Sequence, residues 1–216
     1  MKLNMTSNHF NDNSAINGGG VYIDREQDDT DDEISIIAND NIFFNNTAEQ
    51  IGGAIYVGLE RLSLEATQDN IIKYCKAGNL GGGMYIAKFY NENVFSKFVF
   101  INNTANSIQN DYTSKPSYIL LKSNYTKNEI ITSGKYFPLK FELYDAFNNI
   151  IFDISKFYYL MTLNVSLEKI DDLNNINDNN YNSDENSNYY LEGNTGTFIY
   201  GKYLFYNWSN IILKLQ

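Results

Sequence analysis

Few groups in this chain are of a type and spacing that could do chemistry. The densest acidic run is DREQDDTDDE at 24–33, where Asp28, Asp29, Asp31 and Asp32 are the candidates for a weak Ca²⁺ site. A calcium loop needs oxygen ligands at fixed alternating positions and a glycine for its sharp turn. The run lacks that pattern, so a solvated charged loop is the favoured reading. Arg25 and Arg61 are the only arginines, and neither is tied to a repeated carboxylate cluster. His9 is the only histidine and has no nucleophile or orienting acid placed beside it by the sequence. A catalytic imidazole needs both. Cys75 is the only cysteine, so an intrachain disulfide is excluded, and no base is set beside it for nucleophilic work. The Gly-Gly-Gly runs lack the following Lys-Ser/Thr of a phosphate loop. The expectation is a protein with no catalytic residues, no cofactor and no metal.

Six N-x-S/T sequons are candidate glycosylation sites, at Asn4, Asn45, Asn102, Asn124, Asn164 and Asn207. They count only if the chain is secreted. Trp208 and the tyrosines could stack sugars, but core packing is their default role. The net charge of −10 argues against nucleic acid, which calls for clustered Lys and Arg. No apolar run reaches the length of a membrane span, and MKLNMTSNHF has no signal-peptide apolar stretch.

The elements that would hold these residues are set by a repeat. Residues 41–57 read NIFFNNTAEQIGGAIYV, and the same order returns in 8–23, 70–86 and 98–112. The asparagine position is Asn13, Asn46, Cys75 and Asn103, in steps of 33, 29 and 28 residues. The aromatic position is Phe10, Phe43, Ile72 and Phe100, and the small position is Ala15, Ala48, Ala77 and Ala105. Glycines follow at Gly18–Gly20, Gly52–Gly53 and Gly81–Gly83, whereas Gln109, Asn110 and Asp111 stand there in the fourth copy. The longer first step contains the acidic run, which therefore reads as a loop insertion.

A period near 30 without helical patterning predicts one coil of a parallel β-solenoid per repeat. Each coil buries its apolar side only by stacking on its neighbours. The Phe10 row should then lie inside, the Asn13 row should bond along the axis at one corner, and Cys75 should fill an inward slot. The glycines let the backbone turn sharply or approach the next coil closely. VYI, AIYV and MYI read as the next strands.

F-x-x-N followed by G-G-A-I, seen here as Phe43, Asn46 and Gly52–Ile55, resembles the repeat of the chlamydial polymorphic outer-membrane proteins, which also occurs in large ciliate surface proteins. The first and fourth copies match more loosely. The resemblance covers roughly residues 1–115. It implies a right-handed, pectin-lyase-like β-helix and a cell-surface or secreted, adhesive role with a surface glycan or protein as partner. Because that fold also hosts polysaccharide lyases and hydrolases, a remnant of such an enzyme is the alternative.

After residue 116 the repeat stops. SYILLK (117–122), LKFELYD (139–145), IIFDI (150–154) and YYLMTLNVSLEKI (158–170) read as strands, with Asp145-Ala-Phe-Asn-Asn as a turn. Residues 171–188 are a polar low-complexity loop, and 195–215 supply two or three further strands. The expected fold is all-β: about four coils of a right-handed parallel β-helix over 1–122, then a small β-sandwich over 123–216; LYDAFNN (143–149) resembles a hairpin of Ig-like or filamin-like modules, without its glycine, which implies a sandwich of that type. The first copy begins within ten residues of Met1, from which we expect a fragment of a larger protein whose N-terminal coils, and any membrane anchor, lie elsewhere.

Overall fold

The computed structural model describes residues 2–24, 34–59, 62–87, 95–107, 110–124, 139–154, 158, 161–164, 195–198 and 202–205. The acidic run beyond Asp24, both arginines, Gln109, the loop at 171–188, Asn207 and Trp208 lie outside them.

The protein is all-β, a parallel β-solenoid of about three turns. Its strands are β1 (Lys2–Thr6), β2 (His9–Asn11), β3 (Ser14–Asn17) and β4 (Val21–Ile23) in the first coil. The second coil holds β5 (Ile34–Asn39), β6 (Ile42–Phe44), β7 (Thr47–Ile51) and β8 (Ile55–Val57). The third holds β9 (Leu62–Glu65), β10 (Asn70–Lys73), β11 (Lys76–Ala77) and β12 (Met84–Ile86). From the fourth copy, β13 (Phe98–Ile101) and β14 (Tyr112–Ser114) extend two of the four sheets. The sheet orders are β1-β5-β9, β2-β6-β10-β13, β3-β7-β11 and β4-β8-β12-β14.

The register follows the repeat. Phe10 pairs with Phe43, Phe43 with Ile72, and Ile72 with Phe100. Phe43 and Ile72 are fully buried, while Phe10 and Phe100 pack against the same core from its ends. The Phe10 and Phe43 rings stack 4.7 Å apart at 7°. Ala15 pairs with Ala48 and Ala48 with Ala77, a row of small side chains. A second inward row, Val21, Ile55, Met84 and Tyr112, lines the opposite sheet. Alternation along each strand puts every second side chain inside, so a parallel stack buries identical positions against one another.

Glycine shapes one corner. Gly18, Gly52 and Gly81 have φ of 60°, 69° and 62°, the left-handed region that glycine enters without a Cβ clash. A Cβ on Gly53 would run into the carbonyl of Gly82, and one on Gly82 into the carbonyl of Thr104. The pair is needed because the backbones of successive coils nearly touch there.

The chain divides into two compact units. The first joins the solenoid to residues 143–158 and 199–201; the second holds 121–142, 159–198 and 202–216. Strand β15 is Pro116–Leu121 and β16 is Leu139–Asp145, the latter followed by a turn in which Asn148 N–H donates to Asp145 O. In the second unit Leu139–Glu142 pairs antiparallel with β19 (Lys202–Phe205), and β17 (Thr162–Asn164) pairs antiparallel with β18 (Thr195–Thr197). Glu142 is buried, with Lys140 at 3.3 Å and Lys122 at 3.8 Å. The strand expected over 150–154 is reduced to one antiparallel bridge between Ile150 and Tyr144. Beyond it the Asp153 carboxylate accepts the Tyr158 N–H at 2.7 Å.

Candidate functional site

The most organised chemistry among the described residues is a pair of amide ladders inside two corners. At the first, Asn46 Oδ1 accepts the Asn13 backbone N–H at 3.1 Å and Asn13 Nδ2 at 2.9 Å. Asn46 Nδ2 in turn donates to Phe10 O at 2.7 Å. Cys75 takes the next rung, its thiol 3.9 Å from Asn46 Nδ2 and 3.4 Å from Lys73 O. Asn103 Oδ1 accepts the Cys75 N–H at 3.0 Å, and Asn103 Nδ2 donates to Ile72 O at 3.0 Å and to Asp111 Oδ1 at 3.1 Å. Burial pushes the Cys75 thiol pKa up, so the buried side chain carries little thiolate at neutral pH.

A second ladder escaped the sequence reading. Asn41 Oδ1 accepts Asn8 N–H at 3.1 Å and Asn8 Nδ2 at 3.0 Å. Asn70 Oδ1 repeats this toward Asn41, at 3.2 Å and 2.8 Å. Asn41 Nδ2 also reaches Met5 O, and Asn70 Nδ2 reaches Ala38 O. The signal was present: Asn8, Asn41 and Asn70 each stand five residues before a position of the first ladder. Phe98 breaks the column in the fourth copy.

The corners have a local cause. Ser7, Asp12, Asp40, Asn45, Tyr74 and Asn102 all have φ between 52° and 56°, and each directly precedes a ladder residue. One left-handed residue turns the strand and aims the next side chain inward. Asn and Asp tolerate this conformation best among residues other than glycine. The corner side chains bond outside too: Asn45 Nδ2 donates to Asp12 Oδ1 at 2.7 Å, and Ser7 Oγ to Asp40 Oδ2 at 2.9 Å.

Two outer faces are distinctive. On the sheet of β2, β6, β10 and β13, Phe44, Val99 and Ile101 are exposed, with exposed Tyr74 at the adjoining corner. Phe44 meets the Tyr74 ring edge-on at 5.9 Å, and Lys73 Nζ lies 5.4 Å from the Phe44 centroid. His9 stands exposed on this face, in register with Ile42. On the sheet of β4, β8 and β12, Tyr22, Tyr56 and Tyr85 stack in file at 4.9 Å and 5.3 Å. Tyr22 donates its hydroxyl to Asp24 at 3.1 Å, and the Tyr85 and Tyr158 hydroxyls lie 3.5 Å apart. Burial first, and then the nearby Asp24 charge, raises the Tyr56 pKa; burial likewise raises those of Tyr85 and Tyr158. These hydroxyls stay protonated through the neutral range.

At the fourth copy, Phe95, Phe98, Phe100, Tyr112 and Phe147 line an open cleft of about 370 Å³. The sequons Asn4, Asn45, Asn102 and Asn124 are exposed, and Asn164 ends β17. Among the described residues no three His, Cys, Asp or Glu side chains gather as a metal site would require. Among them, too, no helix is long and apolar enough to cross a membrane.

No family model matches the chain, and no curated protein or solved structure matches it either.

Proposed function

We propose that this chain is a non-catalytic part of a large cell-surface or secreted protein, in which a right-handed, pectin-lyase-like β-helix serves as a stalk and adhesive surface. In this reading the fourth copy counts as a closing coil and the second unit as a small β-sandwich. One observation carries the reading. The ladders and apolar rows fill the interior, while one outer sheet presents Phe44, Val99 and Ile101 beside Lys73, with Tyr74 at its adjoining corner. Exposed apolar side chains clustered on one face of a soluble protein mark interaction sites. Aromatic rings beside a cation and a hydrogen-bonding corner suit a surface glycan, or a protein ligand, better than they suit bond cleavage.

The test is binding of the purified chain to an array of surface glycans, alongside a Phe44→Ser/Tyr74→Ser double variant. Both positions are exposed, so the fold should tolerate the changes. Binding that the double variant loses supports the reading. Product release from polygalacturonate above a heat-killed control would replace it with that of a polysaccharide-cleaving enzyme.

A further inference from the structure

Three tyrosines are exposed among the described residues: Tyr22, Tyr74 and Tyr118. Their hydroxyls differ in partner. Tyr118 donates to the amide oxygen of Asn148 at 2.9 Å. The Tyr74 hydroxyl has no hydrogen-bond partner among the described residues, and its ring meets Phe44 only edge-on. Tyr22 donates to a carboxylate, Asp24 Oδ2, at 3.1 Å. Tyr56, one coil on, turns its hydroxyl toward the same oxygen from 3.5 Å.

That carboxylate has a place made for it. Gly58 does not have the left-handed φ that calls for glycine, yet a Cβ there would run into the Asp24 carboxyl group. Any other residue at 58 would push the carboxylate off the two hydroxyls. The rings are held as firmly, since Tyr22 and Tyr56 sit on paired strands and stack 4.9 Å apart at 6°. Tyr56 has a ring on both faces, Tyr22 and Tyr85, and is still only half-buried. The hydroxyl edge of the file therefore stays open whatever lies against the ring faces.

This is the arrangement that one-electron oxidation of a phenol calls for. A phenol that loses an electron becomes strongly acidic, so the step is fast where a positioned base takes the proton at once. Asp24 is such a base. A ring stacked face to face stabilises the positive charge as it develops. Tyr118 has the stacked ring, Tyr144 at 5.1 Å and 3°, but an amide in place of the base. Tyr74 has neither.

We propose that Tyr22 with Asp24 is an oxidative cross-linking site, at which a one-electron oxidant of the peroxidase class joins Tyr22 to an exposed tyrosine of a neighbouring polypeptide. The oxidant takes one electron from each ring. Each phenolic proton leaves as well, that of Tyr22 to Asp24 Oδ2 and on to water. The two radicals form one carbon–carbon bond ortho to their hydroxyls. The two ring hydrogens at those carbons move to the oxygens and restore both phenols. Two electrons and two protons are lost in all, and the electrons reduce two equivalents of the oxidant.

The inference does not rest on the adhesive reading, which concerns the outer sheet that carries Phe44. In the test, the full chain is treated with a limiting amount of hexachloroiridate(IV), a one-electron oxidant, with N-acetyltyrosine amide as the partner phenol. Adducts are mapped by peptide mass spectrometry. The oxidant is an anion, so the acidic run after Asp24 repels it and does not favour Tyr22. Tyr22 should carry about tenfold more adduct than Tyr74 or Tyr118. Asp24→Asn removes the base, whereas Gly58→Ala keeps the charge and displaces the carboxylate. Both variants should bring Tyr22 down to the level of Tyr74, with the urea midpoint close to that of the parent chain. Equal labelling of the three tyrosines in the parent, or Tyr22 labelling that either variant leaves unchanged, overturns the proposal.

Discussion

The first coil and the fourth copy are built on the same repeat, yet they differ in what packs on them among the described residues. In the first coil Phe10 stacks on Phe43 and has no ring against its other side among the described residues. At the fourth copy Phe95 and Phe147 pack on Phe100 and Tyr112, with centroids 4.8 to 6.0 Å apart. The polar contacts of the fourth copy are as complete. Asp145 is fully buried, and its carboxylate accepts Thr113 Oγ1 at 3.0 Å, Ser114 N–H at 3.3 Å, and the N–H groups of Phe147 and Asn149 at 2.9 and 2.8 Å. The repeat makes each coil a template for the next in both directions. What packs on the fourth copy is a residue set outside the repeat, here one carboxylate and two phenylalanines.

The largest test of this contrast is made within one row. Phe43→Ala removes a ring held on both sides and should cost about 3–4 kcal/mol, whereas Phe10→Ala should cost about 1 kcal/mol, both read by urea denaturation. Equal losses would mean that the first coil is as well packed as the second. The ends themselves come next. Asp145→Ala strands several buried donors and should cost about 2–3 kcal/mol, while Asn13→Ala, at an exposed rung, should cost under about 1 kcal/mol. If the two effects reversed, the fourth copy would not be the more tightly held of the two.

The smallest effect sharpens the comparison between rungs. Cys75 interrupts a ladder whose neighbours are Asn46 and Asn103. Cys75→Asn should supply an Oδ1 for the Asn46 amide and an Nδ2 for the Phe43 carbonyl. A gain of about 1 kcal/mol is expected, seen as a higher urea midpoint with an unchanged slope. A loss of stability would show that this rung is too narrow for an amide.

The Phe10 row, the Asn13 row and the glycine corner were legible because each recurs at a near-constant step. The Asn8 ladder has the same spacing but was hidden by Phe98, which belongs to the core cluster rather than to the ladder. The tyrosine file was read only as strand residues. A sequence does not say that Tyr22, Tyr56 and Tyr85 share an outer face until register is fixed, and a shift of one residue would turn them all inward. Asp145 was read as part of a turn, which it is. Its larger role depends on Thr113 and Ser114, 32 and 31 residues away, with no repeat linking them.

By itself the sequence determined that the chain stacks on itself, that the Phe10 and Asn13 rows stack, and where the Asn13 and glycine corners fall. Those are nearest-neighbour properties, and a repeat writes each of them several times. Tertiary structure alone decided which residues pack on the fourth copy and which outer face carries exposed apolar side chains. Both depend on single-copy residues arriving from distant parts of the chain, and no period in the sequence records where those residues land.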